Sequence, residues 1–153
     1  MALNGQMMDR PLTIGWLIDH AARYHGGTEI VSVEADGDVR CSDWAGVAVN
    51  ACRLASALQR LGIGIGDRVG TLAWNHQRHL EIYFGVSSAG MICHTINPRL
   101  FADQLVYIIR HAADRVVFLD RCFVPMIAQL LGELSHVEHW LSLIHISEPT
   151  RPY

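Results

Sequence analysis

The segment DRVGTLAWNHQRHLEIYFGVSSAGMICHTINPRL, residues 67–100, decides the fold of this 153-residue chain. It contains an apolar run at 68–74, a mixed run at 79–89 and a second apolar run at 91–96, and an Asn-Pro pair then ends the pattern. Short, nearly continuous apolar runs are typical of strands buried on both faces, and the run between them has the length of a helix. The segment therefore predicts a strand, a helix and a second strand.

The same alternation continues beyond this segment. Residues 101–112 predict a helix with an apolar side, residues 115–119 a compact buried strand, and residues 124–131 a further helix. Strand and helix thus alternate three times, which is typical of a parallel sheet whose faces are covered by helices and whose connections are right-handed crossovers. We expect an α/β layered fold.

The residues before the segment predict a smaller unit. A helix is expected over 12–24, and two short antiparallel strands at the two ends of 29–41 are joined by an Asp-Gly turn. Apolar residues then recur at helical spacing over 44–61, where Ser42 is expected to cap the helix and Gly62 to end it. The sequence therefore predicts a helix, a short antiparallel hairpin and a second helix before the parallel strands.

Three glycines at positions 62, 64 and 66 suggest a nucleotide-binding loop. A phosphate-binding glycine loop must follow a strand and open a helix, so that backbone N–H groups and the helix dipole face the phosphate. Here the order is reversed, because the glycines close a helix and lead into a strand. The pattern favours a helix C-cap followed by a turn.

Charge and hydropathy exclude several classes of protein. The net charge is −3, and the twelve basic residues, all arginine, are spread along the chain, so no nucleic-acid partner is expected. No apolar stretch approaches the ~20 residues of a membrane-spanning helix, and residues 1–10 lack the pattern of a secretory signal, so a cytoplasmic location is expected. The four scattered cysteines are expected to be small buried hydrophobic residues.

No residue pattern indicates a metal site or a catalytic residue. His76 and His79, and again His136 and His139, are three residues apart, but no further ligands complete a zinc set. No serine lies in the pattern that surrounds a hydrolase nucleophile. We therefore expect no metal site and assign no catalytic residue.

The loop Asn97-Pro98-Arg99 directly follows a predicted strand. Open parallel sheets bind their ligands at the carboxyl ends of their strands, which indicates a ligand loop. The alternative is a proline-stiffened turn in which Asn97 bonds backbone groups and Arg99 is solvated. The residues favour the turn without excluding the ligand loop.

Several segments, in order and spacing, resemble known enzymes. A resemblance to the early region of fatty-acid–CoA ligases is found at residues 71–75, 79–84, 90–100 and 114–120. The chain is also similar to the medium-chain and methylmercaptopropionate-type ligases of bacteria, at its residues 5–8, 19–25 and 61–69. The resemblance covers residues 1–140 and identifies the chain as part of an adenylate-forming, acyl-activating enzyme.

The resemblance implies a two-step reaction in fatty acid metabolism. A carboxylate attacks the α-phosphate of ATP, pyrophosphate leaves, and the thiol of coenzyme A then displaces AMP to give a thioester. The parent enzyme is expected to use ATP, magnesium and coenzyme A on a small carboxylic acid, and a homodimer is possible. The family's phosphate loop and C-terminal domain both supply a lysine, and this chain contains none, so alone it is expected to be inactive and to bind no cofactor.

The resemblance also implies a division of the chain. Residues 1–140 are expected to form an incomplete N-terminal AMP-binding domain that acts mainly as a scaffold. The residues expected nearest to the substrate are Trp74, Asn75, Asn97, Pro98 and Arg99.

The last residues have a different character. LSLIHISEPTR, residues 141–151, resembles the in-frame translation of a transposase-type sequencing adapter. We expect residues 141–153 to be a non-native tail. The alternative is an ordinary strand over 141–146.

Two other functions stay open. The chain could be a stand-alone α/β nucleotide-binding module that uses its strand-end loops, or an interaction protein whose apolar surface covers a partner. The ligase hypothesis also predicts an open apolar surface and sheet edge, because the rest of the domain would cover them.

Overall fold

The computed structural model describes residue 5, residues 8–34 and residues 37–143. Short 3-10 turns at Arg121–Phe123 and Leu131–Glu133 flank the fifth helix. In chain order the other elements are α1 (Ile14–His25), β1 (Glu29–Val33), β2 (Val39–Asp43), α2 (Trp44–Arg60), β3 (Arg68–Leu72), α3 (Gln77–Ser88), β4 (Ile92–Thr95), α4 (Ala102–Ala112), β5 (Val116–Leu119), α5 (Val124–Leu130) and β6 (His139–Ser142).

Four strands form one parallel sheet in the order β4-β3-β5-β6. β3 pairs in parallel with β4 and β5, and β5 pairs in parallel with β6. β1 and β2 form a separate antiparallel pair, as the sequence predicts. Residues 35 and 36 of the predicted hairpin turn lie outside the described residues. The predicted α/β fold, with a short hairpin and parallel strands alternating with helices, is confirmed.

Helices cover both faces of the parallel sheet. Val116 and Phe118 of β5 face a core formed with α2 and α3, while Val117 and Leu119 face a second core formed with α4 and α5. All four side chains are buried, which explains why β5 is a continuous apolar run rather than an alternating one. Burial of each such side chain contributes roughly 1.5–3 kcal/mol.

Local signals at the helix ends are partly confirmed. Gly62 follows the end of α2 with φ of 79°, and Gly66 has φ of 83°, so these glycines form a C-cap and a turn. The predicted cap residue is wrong, because Asp43 and not Ser42 accepts the Gly46 N–H, at 2.7 Å. The carboxylate of Asp43 reaches the first turn of α2 from the position directly before it.

The expectation of buried cysteines is wrong for most of them. Cys41, Cys52 and Cys122 are exposed, Cys93 is half-buried, and all four are free thiols. Cys52 illustrates the reason, because it follows the buried Ala51 on α2 and one residue turns the side chain by about 100°, away from the core.

Charged side chains contact one another at the N-terminal edge of the parallel sheet, which is the edge where the strands begin. Arg115, which directly precedes β5, contacts Asp67 at 2.6 Å and both carboxylate oxygens of Glu138 at 2.7 and 2.8 Å. Asp114 lies beneath them, fully buried, with Oδ2 at 2.7 Å from Nδ1 of His94. Its Oδ1 has no hydrogen-bond partner among the described residues, and burial raises the pKa of Asp114 although His94 acts against that shift.

The last described strand crosses the predicted start of the tail. β6 pairs His139 to Ser142 with Val116 to Leu119, and Leu143 is buried in the core on the α2 and α3 side. Residues 144–153, which hold most of the predicted tail, lie outside the described residues. The assignment of residues 141–153 to a non-native tail stays a prediction.

Much apolar surface is open. Exposed side chains include Leu12 and Leu17 near α1 and three valines of the hairpin, namely Val31, Val33 and Val39. Such a surface is what the ligase hypothesis expects of a part of a larger domain. No helix in the described ranges is long and apolar enough to cross a membrane.

Candidate functional site at the carboxyl edge of the sheet

The candidate site is built on the loop that joins β3 to α3. Because β3 and β5 are parallel neighbours, with Leu72 opposite Leu119, the residues that follow the two strands lie side by side. Those residues are the loop from Ala73 to His76 on one strand and Asp120 on the other. The carboxyl edge of an open parallel sheet is where ligands bind, so this placement defines a candidate site.

Asp120 connects the two strand ends. Its Oδ2 accepts the backbone N–H of Trp74 at 2.8 Å, and its Oδ1 lies 2.9 Å from Nε2 of His76. The residue is only 7% exposed. Burial raises the pKa of Asp120, but the hydrogen bonds from His76 and Trp74 outweigh it and hold the pKa below its ordinary value. Asp120 is therefore an ionised carboxylate at neutral pH.

His76 joins this carboxylate to α3. It is the N-cap of α3, and its Nδ1 accepts the backbone N–H of His79 at 3.3 Å. Since Nδ1 accepts a hydrogen bond there, it carries no proton, and the contact with Asp120 requires the ring proton to be on Nε2. His76 thus links Asp120 to the beginning of the helix.

His79 holds the other side of the loop. Its Nδ1 lies 3.2 Å from the carbonyl oxygen of Trp74, and its Nε2 lies 2.9 Å from Oγ1 of Thr71. A carbonyl can only accept, so Nδ1 carries the proton and Nε2 accepts from the Thr71 hydroxyl. Burial lowers the pKa of His79 and outweighs the opposing contact with Trp74. His79 is therefore neutral at pH 7.

The result is an exposed aromatic residue on a fixed backbone. The indole of Trp74 is 39% exposed and lies against Phe123, with ring centroids 5.6 Å apart and planes at 45°. Asn75 beside it is exposed. Gln77, the first residue of α3, donates its backbone N–H to the hydroxyl of Ser32 in β1 at 2.8 Å. The loop is thus also tied to the hairpin.

The loop after β4 lies at the same edge. The Asn97 side chain accepts the backbone N–H of Arg99 at 3.0 Å, which forms a local turn. Asn97 and Arg99 are exposed and Pro98 is half-buried. The predicted turn is confirmed, and a role for these three residues in substrate binding stays a prediction.

The structure places all five predicted substrate-proximal residues at one edge. Trp74 and Asn75 follow β3, and the 97–99 loop follows the adjacent parallel strand β4. Nothing in the sequence analysis identified Asp120, although it directly follows a predicted strand, which is the same signal that marked Asn97. Among the described residues no group of three or more His, Cys, Asp or Glu side chains could hold a metal ion.

Comparison with known proteins assigns the class. The model of the AMP-binding enzyme family matches residues 18–150. The chain belongs to the AMP-binding enzyme family.

The individual relatives carry the names of acyl-CoA ligases. The chain is 60% identical over 137 residues to a 3-methylmercaptopropionyl-CoA ligase of Ruegeria lacuscaerulensis, an alignment that covers 90% of the chain and 25% of that protein. It is 53% identical over 141 residues to a medium-chain-fatty-acid–CoA ligase of Ectopseudomonas oleovorans, covering 92% of the chain and 26% of that protein. The chain therefore spans about a quarter of the length of these relatives.

Solved structures agree with the assignment. The anthranilate CoA ligase AuaEII, in complex with anthranoyl-AMP, matches with a TM-score of 0.77 and 25% identity over 88% of the chain and 26% of that protein. A fatty acyl CoA synthetase of Mycobacterium tuberculosis matches with a TM-score of 0.74 and 26% identity, covering 85% of the chain and 26% of that protein. The fold is that of part of an adenylate-forming enzyme.

Proposed function

We propose that this chain is an N-terminal portion of an ATP-dependent acyl-CoA ligase. The whole enzyme would convert a carboxylate, ATP and coenzyme A into acyl-CoA, AMP and pyrophosphate. The observation that carries the proposal is the 60% identity, over 90% of the chain, to a protein named as a CoA ligase.

The chemistry needs groups that this chain does not provide. In the first step a carboxylate oxygen bonds to the α-phosphorus of ATP and the bond to pyrophosphate breaks. In the second step the thiol sulfur of coenzyme A bonds to the acyl carbon, AMP leaves, and the thiol proton is lost. Both steps place negative charge on phosphoryl oxygens, which lysine and magnesium commonly stabilise.

The residues present do not fit a magnesium site. The sequence has no lysine, and the described residues contain no cluster of metal-ligating side chains. Neither step is therefore assigned to a residue of this chain or to a magnesium ion held by it. The phosphate-binding and catalytic groups would belong to the other three quarters of the enzyme, and the isolated chain would be inactive.

The part played by this chain is to shape the substrate side of the parallel sheet. The residues proposed to lie nearest the substrate are Trp74, Asn75, Asn97, Pro98 and Arg99. Their position after two adjacent parallel strands supports this role, since the carboxyl edge is the usual ligand edge of such a sheet.

Location and assembly are further parts of the proposal. Four free thiols support a reducing, cytoplasmic compartment. The net charge of −3 supports small-molecule partners rather than nucleic acid. A homodimer of the whole enzyme is the proposed assembly, which sedimentation of that enzyme would test.

A graft tests the proposed function. Residues 1–140 would replace the matching N-terminal quarter of the Ruegeria lacuscaerulensis ligase, and thioester formation from ATP, coenzyme A and a series of carboxylic acids would be measured. We expect an active chimera and no activity from the 153-residue chain or from the remaining three quarters alone. A folded chimera that binds ATP and forms no thioester would contradict the proposal. Tight ATP binding by the isolated chain would favour the stand-alone nucleotide-binding module.

A further inference from the structure

The backbone of Trp74 is held in an unusual way for a loop residue. Its N–H donates to the buried carboxylate of Asp120 and its carbonyl accepts from the buried ring of His79, at 2.8 and 3.2 Å. Loop backbone groups usually bond to water or to other backbone groups, whereas here two side chains from different elements satisfy both groups. The peptide groups on both sides of Trp74 are thereby fixed.

We infer, resting on the proposed ligase function, that His76, His79 and Asp120 are positioning residues that fix Trp74 so that its indole contacts the acyl group of the substrate. His76 completes the set by contacting the other carboxylate oxygen of Asp120, at 2.9 Å. The three residues contact the Trp74 backbone or each other and leave the indole free to meet a ligand.

The chemistry of the exposed surface favours the acyl group over the other substrates. Trp74 and Phe123 present an apolar aromatic face, with ring centroids 5.6 Å apart. The hydrocarbon part of the carboxylic acid is the substrate portion that lacks charge and hydrogen-bonding groups, so it gains most from such a face. The adenine ring of ATP is the competing occupant, since it can stack on an indole, and the experiment below separates the two.

The contacts themselves can be tested in the 153-residue chain. Asp120→Asn removes the charge and places an amide where two donors converge, so it cannot satisfy both Trp74 and His76. We expect the amide of Trp74 to lose protection from hydrogen exchange by at least about ten-fold, while the amides of Val117 and Phe118 in β5 keep theirs. Unchanged protection of the Trp74 amide in Asp120→Asn would overturn the positioning role.

The substrate assignment can be tested in the chimera. Asp120→Asn and Trp74→Ala should each raise the KM for the carboxylic acid by about ten-fold, with kcat and the KM for ATP within about two-fold of the parent values. Trp74→Phe should restore most of the affinity because it keeps an aromatic face. His76→Asn should behave like Asp120→Asn, since asparagine can still cap α3 but no longer reaches Asp120.

A matched control separates positioning from general stability. Asn50 donates to the buried carboxylate of Glu81 at 2.9 Å, in a polar contact between α2 and α3 that does not involve Trp74. Asn50→Ala should lower stability and leave both KM values unchanged. A rise in the KM for ATP alone, or an unchanged KM for the acid in Trp74→Ala, would overturn the acyl assignment.

The two hypotheses fail in different ways. An inactive chimera overturns the proposed function and, with it, the contact between Trp74 and the acyl group. Hydrogen exchange at the Trp74 amide tests the backbone contacts independently of activity. If the chimera is active and its KM for the carboxylic acid is unchanged by substitution of any of the three positioning residues, this inference is overturned and the ligase function still stands.

Discussion

The two edges of the parallel sheet are tied by side chains of opposite character. At the N-terminal edge Arg115 bridges Asp67 and Glu138 on a surface open to water. At the carboxyl edge Asp120, His76 and His79 make their contacts inside the protein. Water and salt screen the first group, so its geometry can vary at small cost, whereas the buried group tolerates little change. The proposed substrate loop is therefore held by buried contacts of strict geometry.

The largest effect is expected from removing the buried carboxylate. Asp120→Ala leaves the Trp74 N–H and the His76 Nε2–H without an acceptor, so the free energy of unfolding should fall by about 3 kcal/mol. Urea denaturation followed by tryptophan fluorescence measures it. Glu138→Ala is the matched control at the opposite edge, and an equal loss in both variants would remove the distinction between the edges.

A second prediction concerns the buried part of the N-terminal edge. A Cβ at Gly70 would lie 3.1 Å from Oδ2 of Asp114 and 3.2 Å from Cδ1 of Ile96. Gly70→Ala should therefore lower the free energy of unfolding by about 1–2 kcal/mol through overpacking. Gly27→Ala is the control, because nothing lies within 4 Å of the added atom there. If Gly70→Ala were neutral, tight packing would not extend to this edge.

A third prediction uses the pH dependence of His79. Burial lowers its pKa in the folded state from the ordinary 6.5, so the unfolded chain binds the proton more readily. The contribution to stability is complete above about pH 6.5 and is lost as the pH falls below that value. Urea midpoints measured between pH 7.5 and 5.5 should therefore fall less in His79→Asn than in the parent chain. Parallel pH profiles would show that His79 is not the titrating group.

The smallest effect is expected at the exposed ion pairs. Arg115→Gln removes the contacts with Asp67 and Glu138, and the urea midpoint should change far less than in Asp120→Ala. The pKa of Glu138, held below its ordinary value by Arg115, should rise in the variant, which carboxyl NMR titration can follow. A large drop in stability that persists in 1 M salt would mean that this edge is not governed by screened charges.

The elements of the fold could be predicted because their signals are local. β5 is a continuous apolar run, and its two sets of side chains face two cores as the pattern requires. The boundaries of the elements predicted up to residue 131 shifted by up to two residues; for example β3 ends at Leu72 rather than at Trp74, because Asp120 and His79 take over the backbone bonds of Trp74. β6 at His139–Ser142 is not among those elements, since the sequence suggests a strand there only as the alternative over 141–146. The cap of α2 moved by one residue because Ser42 and Asp43 are equally good capping residues in the sequence.

The buried network could not be predicted for a different reason. His76 and Asp120 are 44 residues apart, and only the pairing of β3 with β5 brings them together. The spacing of His76 and His79 bears only on a zinc site, which it does not support, and it gives no sign that His76 contacts Asp120 while His79 contacts Thr71 and Trp74. A search for polar residues directly after each predicted parallel strand would have found Asp120 as well as Asn97.

The position of β6 has a consequence for assembly in trans. It occupies the end of the sheet and joins β5 through main-chain hydrogen bonds, with Leu141 and Leu143 on the α2 and α3 side and Trp140 on the other. Strand pairing uses backbone hydrogen bonds and does not depend on side-chain identity. A segment that pairs with β5 therefore needs only an extended backbone and apolar residues at alternate positions. If β6 were removed, the flank of β5 that it covers would accept such a segment from a separate polypeptide, which makes the connection between β5 and β6 a natural place to split the proposed ligase into two complementing pieces.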